Sequence, residues 1–293
     1  MSATTVEGTP FAAPPVRAGR LRRLLGSPSG RIGVVICALL LGGAAAALVG
    51  VLPHDPVVQN PVDALQGPSR RYLLGTDQFG RDIFSRCVEG TKASLQVAVL
   101  AVALAGSVGT LAGVAAGFFG GWLDAIVMRV SDVLFAFPAI LLALAIVSAL
   151  GTGWLNTSIA IAIVYVPIFA RVARGPVLAL QNADFVRAGR VLGFSSARLL
   201  FRHIVPNVAA PVIVQVTLSL SWAILTESSL SFLGLGTQPP DASLGLMVAD
   251  SRALAAIAWW TLAGPALFVT LAVIGLNLLG DGLRDALDPT GRK

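Results

Sequence analysis

Long segments without a charged residue constrain this chain more than any other feature of its sequence. A bilayer core is ~30 Å thick, and about 20 residues of helix cross it. Only 12% of the residues are charged, against about 25% in soluble domains. The chain therefore has too few charged side chains to cover the surface of a water-soluble domain. The uncharged segments therefore predict a membrane protein; they are 32–52, 93–123, 133–170, 204–226 and 253–280.

The segment 133–170 is too long for one crossing, because as a helix it would extend ~57 Å. Gly151, Thr152 and Gly153 divide it, which gives predicted helices near 126–149 and 155–173. The sequence thus predicts an all-α polytopic protein with six transmembrane helices. Its predicted divisions are a basic tail (1–31), the first helix (32–52), an extracytoplasmic loop (53–92), five further helices (93–281) and a second tail (282–293).

The first uncharged segment has one alternative interpretation, a cleaved signal peptide, since arginines precede it. Its basic region ends about 30 residues into the chain, which is late for a signal. With the N-terminus inside, 15 of the 21 lysines and arginines lie on the cytoplasmic side. The excess of positive charge on that side predicts that both termini are cytoplasmic.

Several classes of function are excluded by missing motifs. The chain's two lysines, Lys92 and Lys293, do not follow the glycine of a phosphate-binding loop, so no P-loop ATPase is encoded. His54 and His203 lie outside the predicted spans, which argues against an intramembrane hydrolase, and no H-E-x-x-H or C-x-x-C motif indicates a metal site. We expect no catalytic residue, no metal, no cofactor bound by the chain, no nucleic-acid partner and no Cys37–Cys87 bridge. The classes of function that remain are transport and a role in the assembly of a protein complex.

The segment 174–206, between the fourth and fifth predicted spans, is amphipathic. Asp184 is predicted to cap a short helix that Gly193 ends, and the pair Ala188–Gly189 allows another surface to approach closely. A second short helix, 197–203, leads to Pro206 and the membrane. The pattern predicts a docking knob on the cytoplasmic face. The alternative is a basic helix that lies on anionic lipid.

The same segment resembles a known family. R-A-G-x-x-x-G at 187–193, with Pro206 thirteen residues later, is similar to the EAA loop of type I ABC-importer permeases. DFVRAG at 184–189 and RHIVPN at 202–207 agree with the peptide/nickel branch. Three further blocks resemble the C-type permease subunit of dipeptide and oligopeptide importers. They are LGTDQFGRDIFSR (74–86), ESSLSFLGLGTQPP (227–240) and NLLGDGLRDALDP (277–289).

The resemblance implies the type I permease fold and a multi-pass location in the bacterial cytoplasmic membrane. It also implies alternating-access import of short peptides. The implied partners are a homologous second permease, two cytoplasmic ATPase subunits that hold ATP and magnesium, an extracytoplasmic substrate-binding protein and membrane lipid. The residues implied to couple the chain to the ATPases are Asp184, Phe185, Arg187, Ala188, Gly189, Gly193, Phe194 and Pro206. The alternatives are import of nickel complexes or another small solute, and an ATP-independent secondary transporter.

Other polar positions have two or more interpretations. The outer loop contributes Gly75, Asp77, Gly80, Arg81 and Asp82, which either contact the binding protein or form a self-contained loop that seats the second span.

Glu227 lies near the outer end of the fifth span, where an ionisable group indicates function. It could equally reach interfacial water or hydrogen-bond within the bundle. Arg129 and Asp132 are predicted to pair with each other. The glycines at 106, 109, 113 and 117 are predicted to pack against another helix.

Overall fold

A computed structural model describes residues 24–287, and regular secondary structure in that range is helical. Residues 1–23 and 288–293, which make up most of the two predicted tails, lie outside the described residues. The α-helices are α1 (Pro28–Leu48), α2 (Ile83–Phe119), α3 (Gly121–Phe135), α4 (Ala139–Leu150), α5 (Trp154–Gln181), α6 (Asp184–Val191), α7 (Ser196–Leu199), α8 (Val205–Phe232), α9 (Leu244–Ser251) and α10 (Trp259–Leu287). A 3₁₀ turn covers Pro61–Asp63, and a π-helical turn, Leu200–Ile204, joins α7 to α8.

Five helices in the described range are long and apolar enough to cross a membrane. They are α1, α2, α5, the continuous α7–α8 helix (Ser196–Phe232) and α10. The pair α3 and α4 supplies a sixth crossing if the two are counted together. The predicted all-α fold with six spans is therefore confirmed, with one span broken.

The break lies in the third crossing, where the sequence predicts a single helix near 126–149. Instead, α3 ends at Phe135 and α4 begins at Ala139, and their axes differ by 93°. Pro138 lies at the junction; proline has no backbone N–H and disfavours helix at the preceding residue. The prediction of one continuous helix was wrong at this point.

The second crossing begins ten residues before the uncharged segment that predicts it. Asp82 caps α2, because its Oδ2 accepts a hydrogen bond from the Ser85 amide at 3.0 Å. Arg86, Glu89 and Lys92 then lie within the first turns of the helix, where Glu89 and Lys92 form an ion pair. An uncharged run marks the apolar part of such a helix and misses its charged start.

The helices α2 and α5 pack closely along the glycines of α2. Gly109 faces the Val166 carbonyl, and Gly113 faces the backbone of Ala170. A β-carbon on either glycine would overlap α5, so the predicted packing role of this glycine series is confirmed. The buried core around this contact includes Ala101, Ala105, Ile161, Phe169 and Ile224.

The first helix packs on the last one. Gly33 of α1 touches the backbone of Leu278 and Leu279, and Gly275 of α10 faces Ile36. The opposite side of α1 exposes apolar side chains, as expected for a helix that faces lipid; they include Ile32, Val35, Leu39 and Leu41. Cys37 and Cys87 are buried free thiols, and Cys87 lies in α2.

Candidate functional site

The predicted docking knob consists of α6, α7 and the turn between them. Ala183, not Asp184, is the N-cap of α6, and no side chain caps it. Asp184 is instead the first residue of the helix, where the helix dipole favours a negative charge. The prediction that Asp184 caps this helix was therefore wrong.

The end of α6 has the backbone geometry that the sequence predicts. Gly193 has φ +77°, a conformation that favours glycine. The Phe194 amide donates to the Gly189 carbonyl at 2.9 Å, and the Leu192 amide donates to the Ala188 carbonyl at 2.9 Å. These bonds satisfy carbonyls at the helix end and turn the chain sharply toward α7.

Gly189 is buried inside the knob. A β-carbon there would lie 2.8 Å from Leu199 Cδ2 and 3.2 Å from Phe194 Cδ2. The close approach that Gly189 allows is thus between parts of this loop rather than with another surface. Its neighbour Ala188 is exposed.

An aromatic cluster that the sequence analysis missed holds the knob together. The imidazole of His203 stacks on Phe194, with ring centroids 6.5 Å apart, and lies 6.2 Å from the ring of Phe185. The Arg198 guanidinium lies over the Phe194 ring, with its carbon 5.2 Å from the ring centroid. The sequence contains both phenylalanines but does not indicate that they meet His203.

The second short helix of the knob is not a separate element. The sequence predicts it over 197–203, but α7 continues through the π-helical turn directly into α8. Pro206 is the second residue of α8 and is separated from the π-helical turn by one residue. The knob is therefore connected to α8 by an unbroken helix and to α5 by the two residues before Asp184.

The outward surface of the knob is amphipathic. Asp184, Phe185, Arg187 and Gly193 are exposed, and Val191 has 88% of its surface accessible. Leu192 is also exposed. Exposed apolar side chains beside charged ones are typical of surfaces that contact a protein or a membrane.

The acids and arginines near the knob pair differently from the prediction. Asp132 accepts a hydrogen bond from Arg171 Nη2 at 2.6 Å, so the predicted Arg129–Asp132 pair was wrong. Arg174 binds both carboxylate oxygens of Asp124, at 2.5 and 2.6 Å. Both pairs join α3 to α5.

The outer loop between α1 and α2 is held by its own polar groups. Gly75, Gly80, Arg81 and Asp82 are buried, and Arg81 Nε donates to Asp77 Oδ2 at 2.7 Å. Trp260 Nε1 of α10 donates to the Thr76 carbonyl at 3.2 Å. The burial favours the interpretation of a self-contained loop that seats α2.

Asp63 is a second centre in that loop which the sequence analysis missed. Its carboxylate accepts hydrogen bonds from the Tyr72 hydroxyl at 2.7 Å, Asn60 Nδ2 at 2.6 Å and Gln66 Nε2 at 2.8 Å. The hydrogen bond to Asp63 raises the pKa of the Tyr72 hydroxyl above its ordinary value, because ionisation would break that bond.

Glu227 is buried in the helix bundle. Its Oε2 accepts a hydrogen bond from Ser94 at 2.6 Å, and its Oε1 accepts from Ser231 at 2.6 Å and from Ser243 at 3.3 Å. Of the three interpretations of Glu227, the structure shows hydrogen bonding within the bundle. The carboxylate joins α2, α8 and the residue that precedes α9.

Comparison with known proteins identifies the family. Residues 109–293 match the family described as "Binding-protein-dependent transport system inner membrane component". The chain is 49% identical to the "Dipeptide transport system permease protein DppC" of Alkalihalophilus pseudofirmus, over 78% of this chain and 76% of the relative. It is 43% identical to the "Di/tripeptide transport system permease protein DppC" of Pseudomonas aeruginosa, over 89% and 88%.

A third relative is the "Glutathione transport system permease protein GsiD" of Pectobacterium atrosepticum, which is 43% identical over 82% of this chain and 80% of the relative. The alignment with the Pseudomonas aeruginosa relative covers 266 residues and is longer than the family match over 109–293. The chain therefore belongs to the family of binding-protein-dependent transport system inner membrane components, and it is a multi-pass permease protein of the bacterial inner membrane.

Proposed function

We propose that this chain is a permease subunit of an ATP-driven importer of short peptides. The observation that carries the proposal is the identity of 43–49% to permeases named for dipeptides, di- and tripeptides, and glutathione, all of which are peptides. The substrate would cross by alternating access, along a path between this chain and a homologous second permease. An extracytoplasmic binding protein would deliver it.

We also propose that ATP is hydrolysed by two cytoplasmic ATPase subunits, which hold the nucleotide and magnesium. The sequence has no P-loop, so an ATP-driven importer that contains this chain needs a partner to bind and hydrolyse ATP. The chain itself would bind no cofactor and catalyse no reaction.

The contact with the ATPases would be the exposed surface of the knob, residues 184–194. Val191, Leu192 and Phe185 supply apolar area, and Asp184 and Arg187 supply charge around it. Gly189 and Gly193 set the shape of the loop that presents them. Because α6 follows α5 by two residues and α7 continues into α8, a push on the knob would reach two membrane helices.

The test replaces one exposed valine in the knob and a matched valine elsewhere. Val191 and Val62 are both 88% exposed, but Val62 lies in the outer loop. The tagged chain would be purified from native membranes, and the co-purified ATPase subunit and ATP-driven uptake of a labelled dipeptide in proteoliposomes would be measured. We expect Val191→Asp to lower ATPase recovery about 30-fold, the effect of removing a central contact of ~2 kcal/mol. Val62→Asp should leave recovery unchanged.

Two results would contradict the proposal at different points. If the unmodified chain takes up dipeptide without an ATPase subunit, it is an independent carrier and not a subunit of an ATP-driven importer. Normal ATPase recovery and uptake by Val191→Asp would leave the importer in place and remove the knob as its coupling surface.

A further inference from the structure

The helix α3 is attached to the rest of the molecule by very little apolar contact. Of its fifteen described residues, only Ser131 is buried. Its two ends are also weak points: Gly120, with φ +64°, precedes it, Gly121, with φ +58°, is its first residue, and the bend at Ala136–Pro138 follows it. Neither end continues the helix straight into its neighbour, so the half-buried side chains and the polar groups along α3 fix its position.

Two ion pairs fix it to α5. Arg174 donates through Nε and Nη2 to the two oxygens of Asp124, and Arg171 donates through Nη2 to Asp132. The Arg171 guanidinium also lies over the ring of Phe135, with its carbon 4.2 Å from the ring centroid. A bidentate arginine–carboxylate pair sets orientation as well as distance. The Asp124–Arg174 pair is the less exposed of the two, so water screens it less.

The same stretch of α5 is tied to the end of α2. Gln181 Nε2 donates to the carbonyls of Gly117 and Phe118, at 2.6 and 2.5 Å. Gln181 is the last residue of α5, and α6 begins three residues later. The final eleven residues of α5, 171–181, thus connect α2, α3 and the knob.

We propose that Asp124 and Asp132 are positioning residues for energy coupling. They bind Arg174 and Arg171 so that α3 moves with α5, and a displacement of the knob then reaches the α3–α4 crossing. This inference rests on the proposed function, because it needs ATPases that move the knob. Without the two pairs, the knob and α5 would move while α3 pivoted freely between its glycine pair and its proline bend.

The test measures dipeptide transported per ATP hydrolysed by the complete reconstituted complex. Asp124→Asn keeps the shape of the side chain and removes its charge. We expect it to lower the transport-to-hydrolysis ratio by about 5- to 150-fold, the usual range for a lost coupling between two sites. Exchange of the pair, by Asp124→Arg with Arg174→Asp, should restore much of the ratio. Arg129→Gln is the control, since Arg129 is an exposed charge on the same helix.

The outcomes separate this inference from the proposed function. A complex with unmodified permease that hydrolyses ATP without moving dipeptide contradicts the proposed function before any variant is compared. If the unmodified complex transports and Asp124→Asn keeps the normal ratio, the positioning role is wrong. If Asp124→Asn does not accumulate in membranes, the exchange variant decides. A restored transport-to-hydrolysis ratio supports the positioning role of Asp124. A stable exchange complex that hydrolyses ATP without transport contradicts that role.

Discussion

Glu227 is 1% exposed, and its carboxylate is surrounded by serine hydroxyls from different elements. A buried carboxylate is costly unless hydrogen bonds replace its water. Ser94, Ser231 and Ser243 supply those bonds, which fasten the outer end of the bundle to the segment before α9. The arrangement gives Glu227 a structural role within this chain.

Replacement of Glu227 by alanine would leave the hydroxyls of Ser94 and Ser231 without their acceptor. We expect Glu227→Ala to lower the free energy of unfolding by about 1–3 kcal/mol, the cost of leaving buried polar groups unpaired. Thermal unfolding in detergent would measure the change. Ser229→Ala is the control, because the Ser229 hydroxyl bonds only to the Leu225 carbonyl of its own helix. Lost uptake with unchanged stability would instead indicate that Glu227 acts on the substrate path.

The sequence identifies Glu227 as unusual but not its partners. Ser94 lies 133 residues away, and a serine in an apolar helix has no feature that marks it as a donor. The same limit explains the error at Asp132, for which Arg129 is close in sequence and Arg171 is 39 residues away. Spacing along the sequence can suggest an ion pair, but the packing of α3 on α5 determines which arginine lies within reach of Asp132.

At the scale of elements, uncharged segments locate most membrane helices because the bilayer excludes charge. They fail where charge and helix coexist, as in the first turns of α2, and where an apolar segment bends, as at Pro138. The π-helical turn between α7 and α8 also has no recognisable signal in the sequence. Helix existence follows from composition, whereas helix ends and bends follow from caps, prolines and contacts.

The glycines of α2 allow a sharp comparison between two positions on one face. A β-carbon on Gly109 would lie 2.7 Å from Phe169 Cβ and still closer to the Val166 carbonyl oxygen, whereas one on Gly106 would lie at an ordinary 3.5 Å from Phe169. We expect Gly109→Ala to destabilise the protein by about 1–3 kcal/mol through overpacking.

Gly106→Ala should be tolerated, and it is the matched control for the same substitution one turn away. Thermal unfolding of both variants in detergent, together with their level in the membrane, would measure the difference. Equal melting temperatures would mean that α2 and α5 can move apart enough to accept a β-carbon at Gly109 without loss of stability, contrary to the close packing of the two helices.

At the scale of the whole molecule, the distribution of arginines predicts that the knob is cytoplasmic and the 53–82 loop is extracytoplasmic. The two native thiols are buried, so the chain itself provides a silent background for cysteine labelling. Val62→Cys should react with a membrane-impermeant maleimide in intact cells.

Val191→Cys should react only in inside-out vesicles washed free of peripheral subunits. The unmodified chain should react in neither preparation. Labelling of Val191→Cys in intact cells, with protection of Val62→Cys, would show that the chain has the opposite orientation in the membrane. Both valines are 88% exposed, so a difference in labelling reports the side of the membrane rather than accessibility.

The contact between α1 and α10 has a consequence for how the chain is made. Gly33 and Leu279 touch, yet the ribosome adds about 245 residues between them, which takes about 12–50 s at 5–20 residues per second. During that time the glycine face of α1 has no partner from its own chain. The side of α1 that faces α10 is therefore among the last surfaces to be packed, and nascent chains that stop before α10 would leave that side available to quality-control proteases in the membrane.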